Sequence, residues 1–174
     1  MVTTNVKIID LLKSYLKIIV EHPDIREHFT MHPLDFSRER KLPLLKVIGL
    51  LINLPKRSLH IELQSLFESM GQADSCCTKG AFSLQRSKLK PIFFKVWNQL
   101  LVETYYELYG DEIKRWEGFK LLAVDGSNIS VVNVPEVVSH FGTADNQFGS
   151  VPMGRGIQIH DVLNDITIWG DIFP

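Results

Sequence analysis

The chain has 174 residues, enough for one or two domains that bury roughly 70% of the unfolded surface. A hydrophobic fraction of 45%, a charged fraction of 22% and a mean hydropathy of +0.03 exclude a disordered, collagenous or low-complexity chain. The net charge of −1 conceals a division: residues 1–115 hold 17 Lys/Arg against 13 Asp/Glu, residues 116–174 hold 2 against 7, and residues 38–95 alone hold 11 against 4. The longest apolar stretches, such as residues 47–55, fall short of the ~20 residues that cross a bilayer, and no basic segment followed by a cleavable apolar one opens the chain. The expectation is therefore no membrane partner. The adjacent Cys76 and Cys77 would form only a strained bridge, so free thiols in a reducing cytoplasm are expected.

In chain order, Ile8, Ile9, Leu12, Tyr15, Leu16 and Ile19 recur at helical spacing and predict an amphipathic helix over 6–20, ended by Pro23. A turn-rich piece containing Pro33 follows. The nearly all-apolar stretch 44–54, between Pro43 and Pro55, predicts a buried helix; Ser58 is a candidate cap for the next, which runs to about Met70 and ends at Gly71. Thr78 is a candidate cap for a short helix over 78–90, and Pro91 opens a long apolar one reaching Tyr109. Beyond Trp116 the texture turns β-rich. Segments 120–124 and 129–134 flank Asp125-Gly126-Ser127-Asn128, segments 156–163 and 166–172 flank Asn164-Asp165, and the glycines and polar residues of 142–156 predict a long loop between the pairs. The fold class is α+β: a helical domain over 1–115, then antiparallel strands over 116–174.

Two groups of residues carry candidate chemistry. On the predicted helix 78–90, Lys79, Ser83, Arg86 and Lys90 fall at steps of 4, 3 and 4 and share one face, which suits a run of phosphates. Arg38, Arg40, Lys41, Lys56 and Arg57 would add converging cations; the plainer reading is a solvated basic surface. Asp125 follows the hydrophobic run Lys120–Val124, so a strand would deliver its carboxylate, with the Ser127 hydroxyl two residues on, as a hard cation requires. The plainer reading is an Asp-Gly hairpin turn. No GxSxG, glycine-rich phosphate loop or HExxH occurs, which disfavours the hydrolases and kinases built on them.

Several pieces in order, Phe36-Ser37-Arg38-Glu39-Arg40-Lys41-Leu42-Pro43, Ser58 to Leu63, Thr78 to Ser83 and Lys88 to Pro91, resemble the N-terminal region of bacterial insertion-sequence transposases of the DDE class, the group named after insertion sequence four. Trp116 to Ser127 resembles the first strand of that family's catalytic domain, and Arg155 with Asp161-Val162-Leu163-Asn164 its next strand and turn. The resemblance runs from about Phe36 to the end. It implies an RNase H-like catalytic domain, begun here and incomplete, in which two Asp and one Glu hold two Mg²⁺ ions that activate the attacking oxygen and stabilise the leaving one. It makes Asp125 the first carboxylate and metal ligand, and DNA at the transposon ends the partner. The other two carboxylates belong to elements downstream of the second hairpin. Residues 1–174 thus read as a truncated transposase, inactive alone, with an open strand edge that invites pairing with another chain, a homodimer included. The alternative is a non-catalytic DNA-binding or dimerising protein that competes with an intact transposase.

Overall fold

A computed structural model describes residues 2–38, 40–53, 57–147 and 149–174. It divides into two compact units, Ile9–Phe93 and Met1–Ile8 with Phe94–Pro174. Mixed α+β architecture is as expected: seven α-helices and a four-stranded antiparallel sheet among the described residues.

Within Ile9–Phe93 lie the end of α1 (Val2–Glu21) and helices α2 (Pro23–Phe29), α3 (Leu44–Ile52), α4 (Leu59–Ser69) and α5 (Lys79–Arg86). Pro43 precedes α3, whose Val47 and Leu50 pack with Leu42, Leu63 and Phe67 of α4, and Phe82 of α5. Burying side chains of this size contributes about 1.5–3 kcal/mol each before ordering costs. Gly71 ends α4 at a φ of +67°, a left-handed conformation that glycine adopts without a Cβ penalty, while the Gln72 N–H closes the turn on the Phe67 carbonyl at 2.8 Å. Ser58 precedes α4 in extended conformation but its side chain makes no capping hydrogen bond. Thr78 does cap: its Oγ1 accepts from the Ala81 N–H at 3.1 Å.

Two helical expectations need correction. The piece after Pro23 is not turns throughout, because Pro23 starts α2, where a missing N–H costs nothing. The helix from Thr78 stops at Arg86. Residues 88–90 instead run beside the exit of α2, where Met31 N–H donates to the Lys88 carbonyl at 2.9 Å and Lys90 N–H to the Phe29 carbonyl at 2.8 Å. The Thr30 hydroxyl, buried, bonds the Arg26 and His32 carbonyls at 3.2 and 3.1 Å.

The second unit holds most of α6 (Ile92–Tyr109), then β1 (Leu122–Ser130), α7 (Pro135–Phe141), β2 (Thr143–Asn146), β3 (Gly149–Asp161) and β4 (Ile166–Phe173). Strand β3 is the centre: β1, β2 and β4 each pair with it antiparallel. The β3–β4 turn at Asn164-Asp165 forms as read, with Asp165 at a φ of +54°, which aspartate tolerates. No turn forms at Asp125-Gly126-Ser127-Asn128. Those residues lie inside β1, a single strand whose nine residues pair continuously with Leu122 opposite Asp161 through Ser130 opposite Met153. The predicted loop 142–156 is also a correction, since most of it is the β2–β3 pair. Two of its glycines are there for space: a Cβ on Gly154 would meet Ile172 Cγ2 at 2.8 Å and Phe141 Cδ1 at 3.0 Å, and one on Gly156 would meet Ile129 Cδ1 at 2.6 Å, whereas Gly142 and Gly149 have open space and left-handed φ values of +77° and +127°.

Candidate functional site

Strand alternation places Ala123, Asp125, Ser127 and Ile129 on one face of β1, and register brings Gln158 opposite Asp125 and Gly156 opposite Ser127. The Asp125 carboxylate is exposed and rigidly based, in mid-strand, with the Ser127 hydroxyl 3.4 Å from its Oδ2. It borders an open hollow of about 410 Å³ shared with Val124, Asn128, Arg155 and Ile157. Among the described residues, no three His, Cys, Asp or Glu side chains gather as a metal site. Asp125 alone does not meet the ligand count of a Mg²⁺ pair.

The candidate phosphate ligands fall into separate groups. Lys79, Ser83 and Arg86 share an exposed face of α5, as their spacing requires. Lys90 does not join them: outside the helix, its ammonium donates to the Glu27 and His28 carbonyls at 3.2 and 3.4 Å, where the C-terminus of α2 favours a cation. Arg57 is held by Glu62, its Nε 3.3 Å from the carboxylate, and by the Ser65 hydroxyl at 3.2 Å. Lys56 lies outside the described residues. Arg38, Arg40 and Lys41 are exposed; Arg40 and Lys41 rim a hollow of about 650 Å³ walled by Leu42, Cys76, Cys77, Ala81 and Leu84. At 100° per residue, Ala81 and Leu84 lie on the side of α5 away from Lys79 and Arg86, so these two cationic groups flank the helix instead of merging. The thiols are free, and Cys77 has its pKa pushed up by burial and by the neighbouring Cys76.

Sequence reading missed the most enclosed polar group. Asp161, wholly buried, accepts from the Tyr106 hydroxyl at 2.6 Å and from the Asn164 side-chain amide at 2.9 Å. Burial pushes the Asp161 carboxyl up, but those hydrogen bonds and the backbone N–H groups of Asn164 and Leu163 outweigh it and hold the pKa below the usual carboxylate value. Tyr106 is shifted the other way, raised by burial and by the hydrogen bond to Asp161. The Lys120 ammonium sits 3.3 Å from the centre of the Tyr106 ring. Only the turn-forming Asn164-Asp165 pair in the sequence hints at this cluster.

No helix among the described residues is long and apolar enough to cross a membrane. Comparison with protein-family models, with curated proteins and with solved structures gave no match to the chain.

Proposed function

We propose that residues 1–174 are the N-terminal part of a DDE-class DNA transposase, a helical DNA-binding portion followed by the opening strands of an RNase H-like domain. The observation that carries this reading is the position of Asp125: exposed, mid-strand, on the first ribbon of an antiparallel β1-β3-β4 arrangement, with its backbone fixed by nine paired residues. A carboxylate at a hairpin tip would have removed the chemistry; a strand holds it in the manner that phosphoryl-transfer sites use. The residues present supply one of three carboxylates, so the chain alone neither holds two Mg²⁺ ions nor cuts DNA, and the chemistry belongs to a complete relative.

The exposed cations of α5 and of the 38–41 segment support a second, narrower reading: a DNA-binding protein that occupies element ends without cutting them. Its partner is the phosphate backbone, which asks only for accessible positive charge. The reading of a transposase is tested by translating the genomic DNA that follows codon 174. A downstream Asp and Glu, in the same or a shifted frame, within strand and helix patterns would support it. Three frames without them would overturn it and leave the DNA-binding reading to be judged by a binding assay at low salt.

A further inference from the structure

Two lead-ins to helices border one hollow of the helical unit. Residues 40–42 precede Pro43 and α3, residues 76–78 precede α5, and both line the hollow of about 650 Å³ together with Ala81 and Leu84. That volume lies in the range of small-ligand sites, about 300–1,000 Å³. Its floor is firm, because Leu42 belongs to the buried cluster around Phe67 and Phe82, and Cys76 and Cys77 pack against the same cluster. On the α5 side Leu84 is 70% exposed, an apolar side chain left in water. The charges are of one sign. Arg40 and Lys41 stand at the rim, and no Asp or Glu lines the hollow among the described residues. The two thiols would oppose an anion only as thiolates. Burial, and then the neighbouring Cys76, push the Cys77 thiol up against the weaker pull of Lys41 and Lys46, so it stays protonated and neutral at pH 7.

We infer that this hollow binds a small organic anion with an apolar body, the body against Leu42, Ala81 and Leu84 and the carboxylate, sulfonate or phosphate head group at Arg40 and Lys41. Each half of such a molecule answers one half of the site. The apolar body removes Leu84 from water, and the head group meets two cations that can donate charge-assisted hydrogen bonds to it. A neutral apolar molecule uses only the wall, and a bare inorganic anion only the rim. Duplex DNA, with its bases stacked inside and its phosphates outside, likewise reaches the rim and not the wall. Lys79 and Arg86 lie on the opposite side of α5 and take no part. The site is therefore independent of the DNA-binding reading and of Asp125.

The test uses 8-anilinonaphthalene-1-sulfonate, an aryl body with one anionic head, against N-phenyl-1-naphthylamine, the same rings without the sulfonate. Fluorescence titration of the 174-residue chain reads affinity, and the two free thiols in the wall report where the probe sits. A single saturable site for the sulfonate is expected, and its occupation should slow alkylation of Cys76 and Cys77 by N-ethylmaleimide, followed residue by residue by mass spectrometry. Arg40→Ala/Lys41→Ala should weaken the sulfonate about tenfold and leave the neutral analogue within about twofold, since only the head group loses its donors. Lys79→Ala/Arg86→Ala, on the far side of α5, should leave both affinities within about twofold. Leu84→Glu changes an exposed side chain and sets a carboxylate on the wall; with unchanged circular dichroism it should weaken both probes, the sulfonate more. Thiols that do not react in the free chain, binding that leaves them unprotected, or a sulfonate affinity indifferent to Arg40 and Lys41 overturns the inference. Protection of the thiols by a DNA duplex as full as that by the sulfonate also overturns it, and assigns the rim to nucleic acid.

Discussion

The Tyr106 hydroxyl donates to the buried Asp161 carboxylate at 2.6 Å and so ties the last turn of α6 to the end of β3. Around that bond, Asn164 bridges outward: its side-chain amide donates to Asp161 and to the Lys114 carbonyl at 3.1 Å, and its Oδ1 accepts from the Lys114 N–H at 2.9 Å. A wholly buried carboxylate survives only when donors replace its water, and here they come from a helix, a turn and a side-chain amide. The cluster anchors the β3–β4 hairpin, and through β3 it anchors the strand that carries Asp125.

Tyr106→Phe removes one charge-assisted donor and should destabilise this unit by about 1–3 kcal/mol in urea unfolding. The pH dependence separates this from lost packing. Asp161 has a folded pKa below its unfolded one, so its contribution is present above the unfolded value of about 3.9 and is lost as pH falls through the folded value. Tyr106→Phe moves the folded pKa back up. The stability gap between wild type and variant should therefore narrow as pH drops below about 4, and a gap constant from pH 7 to pH 2.5 would show that Asp161 is not the cause.

Gly154 is wedged between Phe141 of α7 and Ile172 of β4, both within 3.0 Å of a hypothetical Cβ. Gly154→Val should cost about 1–3 kcal/mol by overpacking, since the ring or the strand must move. Gly126→Ala, with open space around it, is the control and should fall well below that. Equal costs at both positions would mean that strand propensity, and not the Phe141 side chain, decides the glycine.

The contrast between these glycines explains what is and is not legible in the sequence. Helices α1, α3, α4 and α6 follow from apolar periodicity and prolines, because each buries a stripe against local neighbours. The Asn164-Asp165 turn is likewise readable. Asp-Gly at 125–126 misleads because the pair is a turn signal only in the absence of a partner strand; thirty residues later β3 supplies one, and long-range pairing overrides local preference. The 142–156 segment misleads for the complementary reason. Gly154 and Gly156 answer to side chains of α7, β1 and β4, which no local window contains. Asp161 is visible as a residue but not as a buried one, since its donors lie 55 positions upstream on α6 and three downstream. Of the candidate cations, helical spacing correctly groups Lys79, Ser83 and Arg86, and fails at Lys90 because the helix ends one turn earlier.

Thr78 accepts the Ala81 N–H and opens the helix that displays Lys79, Ser83 and Arg86. Thr78→Ala should cost about 1 kcal/mol of stability, and Thr78→Asn or Thr78→Ser much less, because either side chain can accept the same N–H. Thermal unfolding in parallel distinguishes these; equal losses for all three would place the effect in the methyl group's packing instead of the cap.

If α5 lies along a phosphate backbone, its two cations should appear in the salt dependence of binding. Removing one cation from a phosphate lowers the slope of log affinity against log salt by about 0.9, so Lys79→Ala/Arg86→Ala should reduce it by about 1.8 on any duplex sequence. Arg57→Ala gives the control: its guanidinium is already committed to Glu62, and it should change the slope little. The 38–41 cations lie on another side of α5, so Arg38→Ala/Arg40→Ala should add its own decrement only if the DNA wraps around that end of the helix. Fluorescence anisotropy with a labelled duplex, titrated from roughly 50 mM salt upward, reads all three variants. A slope that none of them moves would place any DNA binding elsewhere, and no binding at the lowest salt would remove nucleic acid as the partner of this face.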